Sequence, residues 1–229
     1  MHARSGSLRR RCQSIGNAAV VAMALVALAA VFFVAPTERT MGDAQRIVYL
    51  HVAVAWVGLA GALVMAAAGA AYLVRRNLRW DHWAQAAAEL GWLGSTLTLV
   101  TGSLWAHAAW NVWWTWDPRL TTALILWALY SGCLLLRGGV DDPHRRARLG
   151  AVLAIAGAAD LPLVVMATRW FRGMHPAAPA MQPSMRAVLL ASVLGFTALF
   201  ALLLAMRRKQ LELLRLVEEL TESEKEMPC

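Results

Sequence analysis

Three cysteines in 229 residues are too few and too scattered for thiol chemistry. Cys12, Cys133 and Cys229 form no C-x-x-C pair, which argues against a thiol oxidoreductase, and the lack of any C-x-x-C-H argues against covalent haem attachment to this chain. No G-x-x-x-x-G-K-[ST] loop is present, so any use of ATP falls to another subunit. Charge is scarce as well, at 16% of residues. It is confined to short stretches between long apolar runs, which argues against a soluble single domain. The runs are continuous rather than alternating, and this excludes a transmembrane β-barrel. No internal repeat marks a transporter of two inverted halves, and no set of polar residues marks a midplane substrate path.

What the chain does have is apolar length. Hydrophobic residues make up 59% of it, in runs at Ala18–Ala35, Ile47–Val74, Trp83–Leu104, Thr121–Leu136, Leu149–Thr168 and Met185–Met206. Each is near the roughly 20 helical residues that cross a bilayer core. The reading is an all-α integral membrane protein, a bundle of six transmembrane helices. The first run is too long for a signal peptide despite Arg9–Arg11 before it, so it reads as a retained anchor. With both termini inside, the basic residues of the two tails and of the loops around Arg75–His82 and Arg137–Arg148 fall on the cytoplasmic side. Arg39, Arg46, Arg119, Arg169, Arg172 and Arg186 fall outside. The formal charge of +8 thus reports topology and contact with anionic lipid, and nothing points to nucleic acid. The organisation that follows is a basic cytoplasmic segment 1–17, a membrane domain 18–206 with outer loops 36–46, 105–118 and 169–184, and a cytoplasmic tail 207–229. In the tail, Leu211, Leu214, Val217 and Leu220 recur at helical spacing among acids, an amphipathic helix by pattern. A stripe of Gly58, Gly61, Ala62, Ala66 and Gly69 on the second run reads as a close-packing face.

Chemistry concentrates in the outer loops, where a rigid scaffold presents function. Trp105, Trp110, Trp113, Trp114 and Trp116 cluster ahead of Asp117. Two readings stand: an interfacial aromatic belt, or a platform for a large planar apolar ligand. The inner side offers only Trp80 and Trp83, which favours the platform. If the segment is helical, Trp110, Trp113, Trp114 and Asp117 share one face. Asp117 before Pro118 also has the form of an N-cap with proline at the first helical position. Arg119 either pairs with Asp117 or clamps an acidic group of a ligand.

The six histidines are unequal. His2, His82 and His144 sit in charged cytoplasmic surroundings. His51 lies about one turn inside the outer end of the second run, where it is either a hydrogen-bonded structural residue or a ligand or proton carrier. His175 lies at a similar level in the last outer loop, and two neutral imidazoles meeting there suit the axial positions of haem iron. His107 is a third candidate. Asp160, close to Pro162 in the fifth run, reads either as part of a kink or as a site.

The segment Trp113–Thr121, the run Gln45–Val52, and Leu161-Pro162 followed by Trp170 and His175 together resemble the haem exporter or handling protein C family of bacterial cytochrome c maturation. The likeness extends from about Pro36 to Met206. The resemblance implies a non-redox protein of the bacterial inner membrane that binds haem b non-covalently and transiently on its periplasmic face. It implies His51 and His175 as axial ligands and Trp110, Trp113, Trp114, Trp116 and Asp117 as the haem platform and chaperone contact. Arg46 and Arg119 then stand near the propionates. The implied partners are the periplasmic haem chaperone (protein E), the ABC transporter subunits A and B, and the small membrane protein D. Asn111, Pro118 and Asp160 depart from the family pattern, where glycine, alanine and asparagine are usual. A cytochrome c synthase-type subunit and a b-type electron-transfer cytochrome are the alternatives. The second lacks an intrahelical histidine to match His51.

Overall fold

The computed structural model describes residues 2–175 and 181–226, with side chains described over 13–175 and 181–224. The side chains of Arg4, Arg9–Arg11, Cys12 and Lys225, and all of Cys229, lie outside the described residues. Six helices follow in order: α1 (His2–Phe33), α2 (Arg46–Arg75), α3 (Leu78–Trp110), α4 (Pro118–Gly138), α5 (Pro143–Trp170) and α6 (Pro183–Glu226). A single 3₁₀ turn, Asp43–Gln45, leads into α2. The protein is an all-α bundle, as the runs of apolar sequence predict.

The helix ends follow local chemistry. Asp117 and Asp142 each precede a proline at the first helical position, and each side chain accepts the backbone N–H three residues on. Asn77 caps α3 in the same manner through Arg79 N. Arg76 and Asn111 end α2 and α3 in the left-handed conformation, at φ 52° and 58°. Because Asn111 stops α3 there, residues 111–117 are extended loop. The helical face expected of Trp110, Trp113, Trp114 and Asp117 is therefore not formed. Two elements also outrun their sequence boundaries. α1 begins well before Ala18, and α6 continues without a break through the tail, where Arg208–Glu212 and Arg215–Glu219 ion pairs at i, i+4 support it. Of the tail's expected apolar stripe, Leu211 is buried against the bundle while Leu214, Val217 and Leu220 stay exposed.

Five helices are long and apolar enough to cross a membrane. The exception is α3, which is long enough at 33 residues but carries polar and tryptophan side chains that lower its hydropathy. It is the helix most closely joined to α2. Gly58, Gly61, Gly91 and Gly94 line this seam, and a Cβ on Gly61 would lie 2.7 Å from the Gly91 Cα. Any larger residue would push the two backbones apart. The seam is closed from α4 by Tyr130, whose hydroxyl donates to the Gly58 carbonyl at 2.7 Å. Around it Met65, Leu126, Cys133, Ala154, Leu161 and Phe200 complete the core. α1 packs mainly on α6, and α2 is central, touching α1, α3, α5 and α6.

The two ends of the bundle differ. The end carrying loops 76–77 and 139–142 has ion pairs that tie helices together: Arg137 with Asp81, both 6% exposed, and Arg207 with Glu89. The opposite end gathers residues 34–45, 111–117, 171–175 and 181–182. There Glu38 receives the backbone N–H groups of Thr40 and Met41, and the α3–α4 loop folds back on the end of α3.

Candidate functional site

Where the α3–α4 loop meets α2 and the loop after α5, the bundle opens into a cleft. Its walls are nearly all apolar or aromatic: Leu99, Trp105, Ala106, Trp110, Val112, Trp114, Leu120 and Ala123. The polar exceptions include His51, Asp117, Arg119 and His175. An apolar pocket with convergent polar groups is the usual form of a ligand site.

α2 supplies His51 and the loop beyond α5 supplies His175. Their ring centroids lie 6.4 Å apart, with the planes inclined at 39°. Gly173 makes this approach possible. A Cβ there would lie 3.2 Å from Asp117 Cβ and 3.3 Å from Oδ2, so the loop after α5 rests against Asp117 without a side chain between them. His51 in turn packs against α3 with its Cε1 edge next to Gly102.

Asp117 combines two situations. Oδ1 accepts the Leu120 N–H at 2.9 Å, the N-cap bond that starts α4. Oδ2 is buried and has no hydrogen-bond partner among the described residues. Arg119, two residues later, lines the cleft, and its guanidinium forms no hydrogen bond or ion pair among the described residues. Of the two sequence readings of Arg119, direct pairing with Asp117 is therefore not made. A part-buried cation is costly unless an anion meets it, and the nearby charge on this side of the cleft is Asp117.

The tryptophans divide between two tasks. Trp110 and Trp114 line the cleft, joined by Trp105, which packs edge-on against Trp110 at 4.7 Å. Trp113 and Trp116 face outward, 55% and 74% exposed. Trp113 is held in place: its carbonyl accepts the Ser103 hydroxyl at 2.7 Å, and its ring stacks on His107 at 4.0 Å with the planes 8° apart. His107 thus supports the loop and is not a cleft residue. Arg46 lies outside the cleft too. Its guanidinium donates to the carbonyls of Val31, Phe32 and Ala35 and pairs with Asp43, closing the end of α1. The structure does not bring it to the two histidines. Asp160 is buried in α5 with Oδ2 unpartnered, and it does not line the cleft. Sequence reasoning passed over Thr98, Thr101, Gly102 and Ser103. Their one signal was Thr98 one helical turn before the consecutive small residues Thr101, Gly102 and Ser103 on an otherwise apolar stretch.

Fold and cleft define a class: helical membrane proteins that present paired imidazoles and an aromatic pocket at one end of a bundle. Residues 3–223 match the family model for Heme exporter protein C. The chain is 38% identical to Heme exporter protein C of Bradyrhizobium diazoefficiens over 74% of its length and 67% of that protein's. It is 35% identical to the Escherichia coli K12 protein of that name, over 80% of this chain and 76% of the relative. With the Rhodobacter capsulatus protein the figures are 31%, 84% and 83%. The chain belongs to the Heme exporter protein C family.

Proposed function

We propose that this protein holds haem b in the cleft at the periplasmic face of the bacterial inner membrane and hands it to the periplasmic haem chaperone, protein E, for cytochrome c maturation. The observation that carries the reading is the pair of imidazoles across an apolar cleft that ends in an unpaired arginine. His51 and His175, whose ring centroids lie 6.4 Å apart, would supply the two imidazoles that hold the haem iron. Trp110 and Trp114 offer flat apolar walls, and Arg119 supplies the guanidinium that a propionate pairs with in bidentate fashion. Haem, when bound, supplies an iron that accepts both imidazoles and a hydrophobic plate that fills the slot.

Holding is non-covalent, which suits transfer. The exposed Trp113 and Trp116 form the rim that the chaperone engages, while the buried, unsatisfied Oδ2 of Asp117 belongs to the cleft behind it. Arg46 orders the end of α1 beside this rim and leaves the propionate contact to Arg119. The relatives' name, Heme exporter protein C, fits a place beside the ABC transporter subunits A and B and the small protein D, which would provide the ATP chemistry that this chain has no motif for.

The test is chaperone loading. Coexpressed with the chaperone and the other maturation proteins, the wild type should give covalently haem-loaded chaperone. His51→Ala and His175→Ala should each abolish loading at unchanged membrane level. Full loading by both variants would overturn the assignment.

A further inference from the structure

Thr101 stands behind His51, outside the cleft lining. Its hydroxyl oxygen lies 2.6 Å from the Leu97 carbonyl, one turn earlier in α3, and 3.0 Å from Nδ1 of His51. A carbonyl oxygen only accepts. The single hydroxyl hydrogen is therefore directed to Leu97, which leaves a lone pair on the threonine oxygen toward the imidazole. Nδ1 must then carry the ring hydrogen and donate it. A neutral imidazole protonated at Nδ1 has its available lone pair on Nε2.

The ring is held from a second side. A Cβ on Gly102 would stand 2.9 Å from Cε1 of His51, so the imidazole occupies the space that the missing side chain leaves against α3. Thr101 fixes which nitrogen is protonated, and Gly102 fixes how closely the ring rests on the helix.

We propose that Thr101 is a positioning residue: the chain of hydrogen bonds His51–Thr101–Leu97 locks His51 as the Nδ1–H tautomer and so makes Nε2 its metal-binding atom. The role toward iron rests on the haem reading given above, whereas the tautomer itself does not. A donor bond from the far nitrogen of a ligating histidine orients the ring and strengthens its basicity, and loss of such a partner typically weakens binding about 10- to 100-fold. Without the acceptor on Thr101, the Thr98 carbonyl is the backbone acceptor left beside the ring, and the ring exchanges its proton between nitrogens and turns about its side-chain torsion more readily. The alternative is that Thr101 merely satisfies its own hydroxyl on the preceding turn, as Ser and Thr commonly do in membrane helices.

Two measurements on the full chain in detergent decide this. The first is nitrogen NMR of haem-free protein labelled with ¹⁵N-histidine, the His51 signals being identified by their loss in His51→Ala. Wild type and Thr101→Ser should show a protonated Nδ1 and an unprotonated Nε2. Thr101→Val, with Thr101→Ala as a second removal, should show exchange between both tautomers. A protonated Nε2 in the wild type, or an unchanged spectrum in both removal variants, would overturn the lock. The second is titration with hemin, followed by optical spectrum. Thr101→Val should bind about 10- to 100-fold more weakly and with part of the haem five-coordinate, and Thr101→Ser should restore wild-type behaviour. Wild-type affinity and spectrum in Thr101→Val would overturn the positioning role. If His51→Ala bound hemin as the wild type does, the haem reading would fall and the iron role with it, while the NMR result would still decide the tautomer.

Discussion

Adding one methyl group at Gly102 separates helix stability from ligand holding. A Cβ built on Gly102 meets Cε1 of His51 at 2.9 Å and Nδ1 at 3.4 Å. Ordinary carbon contacts lie at about 3.5–4.0 Å, so the ring must withdraw by roughly 0.6–1 Å. It cannot do so freely, because Nδ1 is tied to Thr101 at 3.0 Å and the opposite ring is His175 at 6.4 Å between centroids. Ligand constellations tolerate about 0.5 Å of displacement. The shift exceeds that, and a loss comparable to removing a ligand's supporting partner follows, about 10- to 100-fold in haem affinity, or about 1.4–2.8 kcal/mol.

The helix responds in the opposite direction. Alanine is favoured over glycine inside a helix by about 1 kcal/mol, and Gly102 lies within α3. That gain offsets part of the cost of displacing the ring, so the haem-free Gly102→Ala protein should melt close to the wild-type temperature in detergent while its hemin titration moves to higher concentration. Affinity within about twofold of wild type would refute the claim that His51 is held at van der Waals contact against this step of α3.

Three further outcomes are expected. Asp117→Asn keeps the cap on Leu120 N, so protein level and melting should change by well under the ~1 kcal/mol of a lost cap, while holo-chaperone formation falls; full loading would return Asp117 to a capping role. Arg119→Gln should weaken haem binding by about 1.5–3 kcal/mol, the worth of a charge-assisted hydrogen bond. The wild type should prefer haem over its dimethyl ester, whereas the variant should bind both alike; an unchanged preference would remove Arg119 from the propionate. For the buried Arg137–Asp81 pair, bonded at 2.6 and 3.0 Å, Arg137→Met alone should cost about 3–5 kcal/mol and Asp81→Leu/Arg137→Met should recover most of it, read from thermal melts; equal loss in both would show that the pair stabilises beyond its own desolvation.

Much of this architecture is legible in the sequence, because bilayer thickness converts apolar length into helices almost directly. The two Asp-Pro caps, at Asp117 and Asp142, could be read from residue type alone. The loop conformation could not. Helical periodicity placed Trp110, Trp113, Trp114 and Asp117 on one face, but Asn111 adopts a left-handed conformation at φ 58° and ends the helix. The tryptophans then divide between cleft and rim. Arg46 was illegible for a different reason. It begins α2 close to His51 in sequence, yet the carbonyls at the end of α1 claim its guanidinium, and such a contact, 11 to 15 residues away in sequence, leaves no local pattern. Thr101 and Gly102 act through another helix, so their importance depends on the register of α2 against α3. That register is fixed by the seam at Gly58, Gly61, Gly91 and Gly94, of which the sequence reading had identified only the α2 side.

The central claim is that His51 and His175 hold one haem between them, and electron paramagnetic resonance of the purified protein loaded with hemin tests it most directly. The wild type should give a single low-spin ferric signal of bis-imidazole type. His51→Ala and His175→Ala should each turn it high-spin, with low-spin character restored by added imidazole. A high-spin wild-type signal, or a low-spin signal that survives either substitution without added imidazole, would contradict the account.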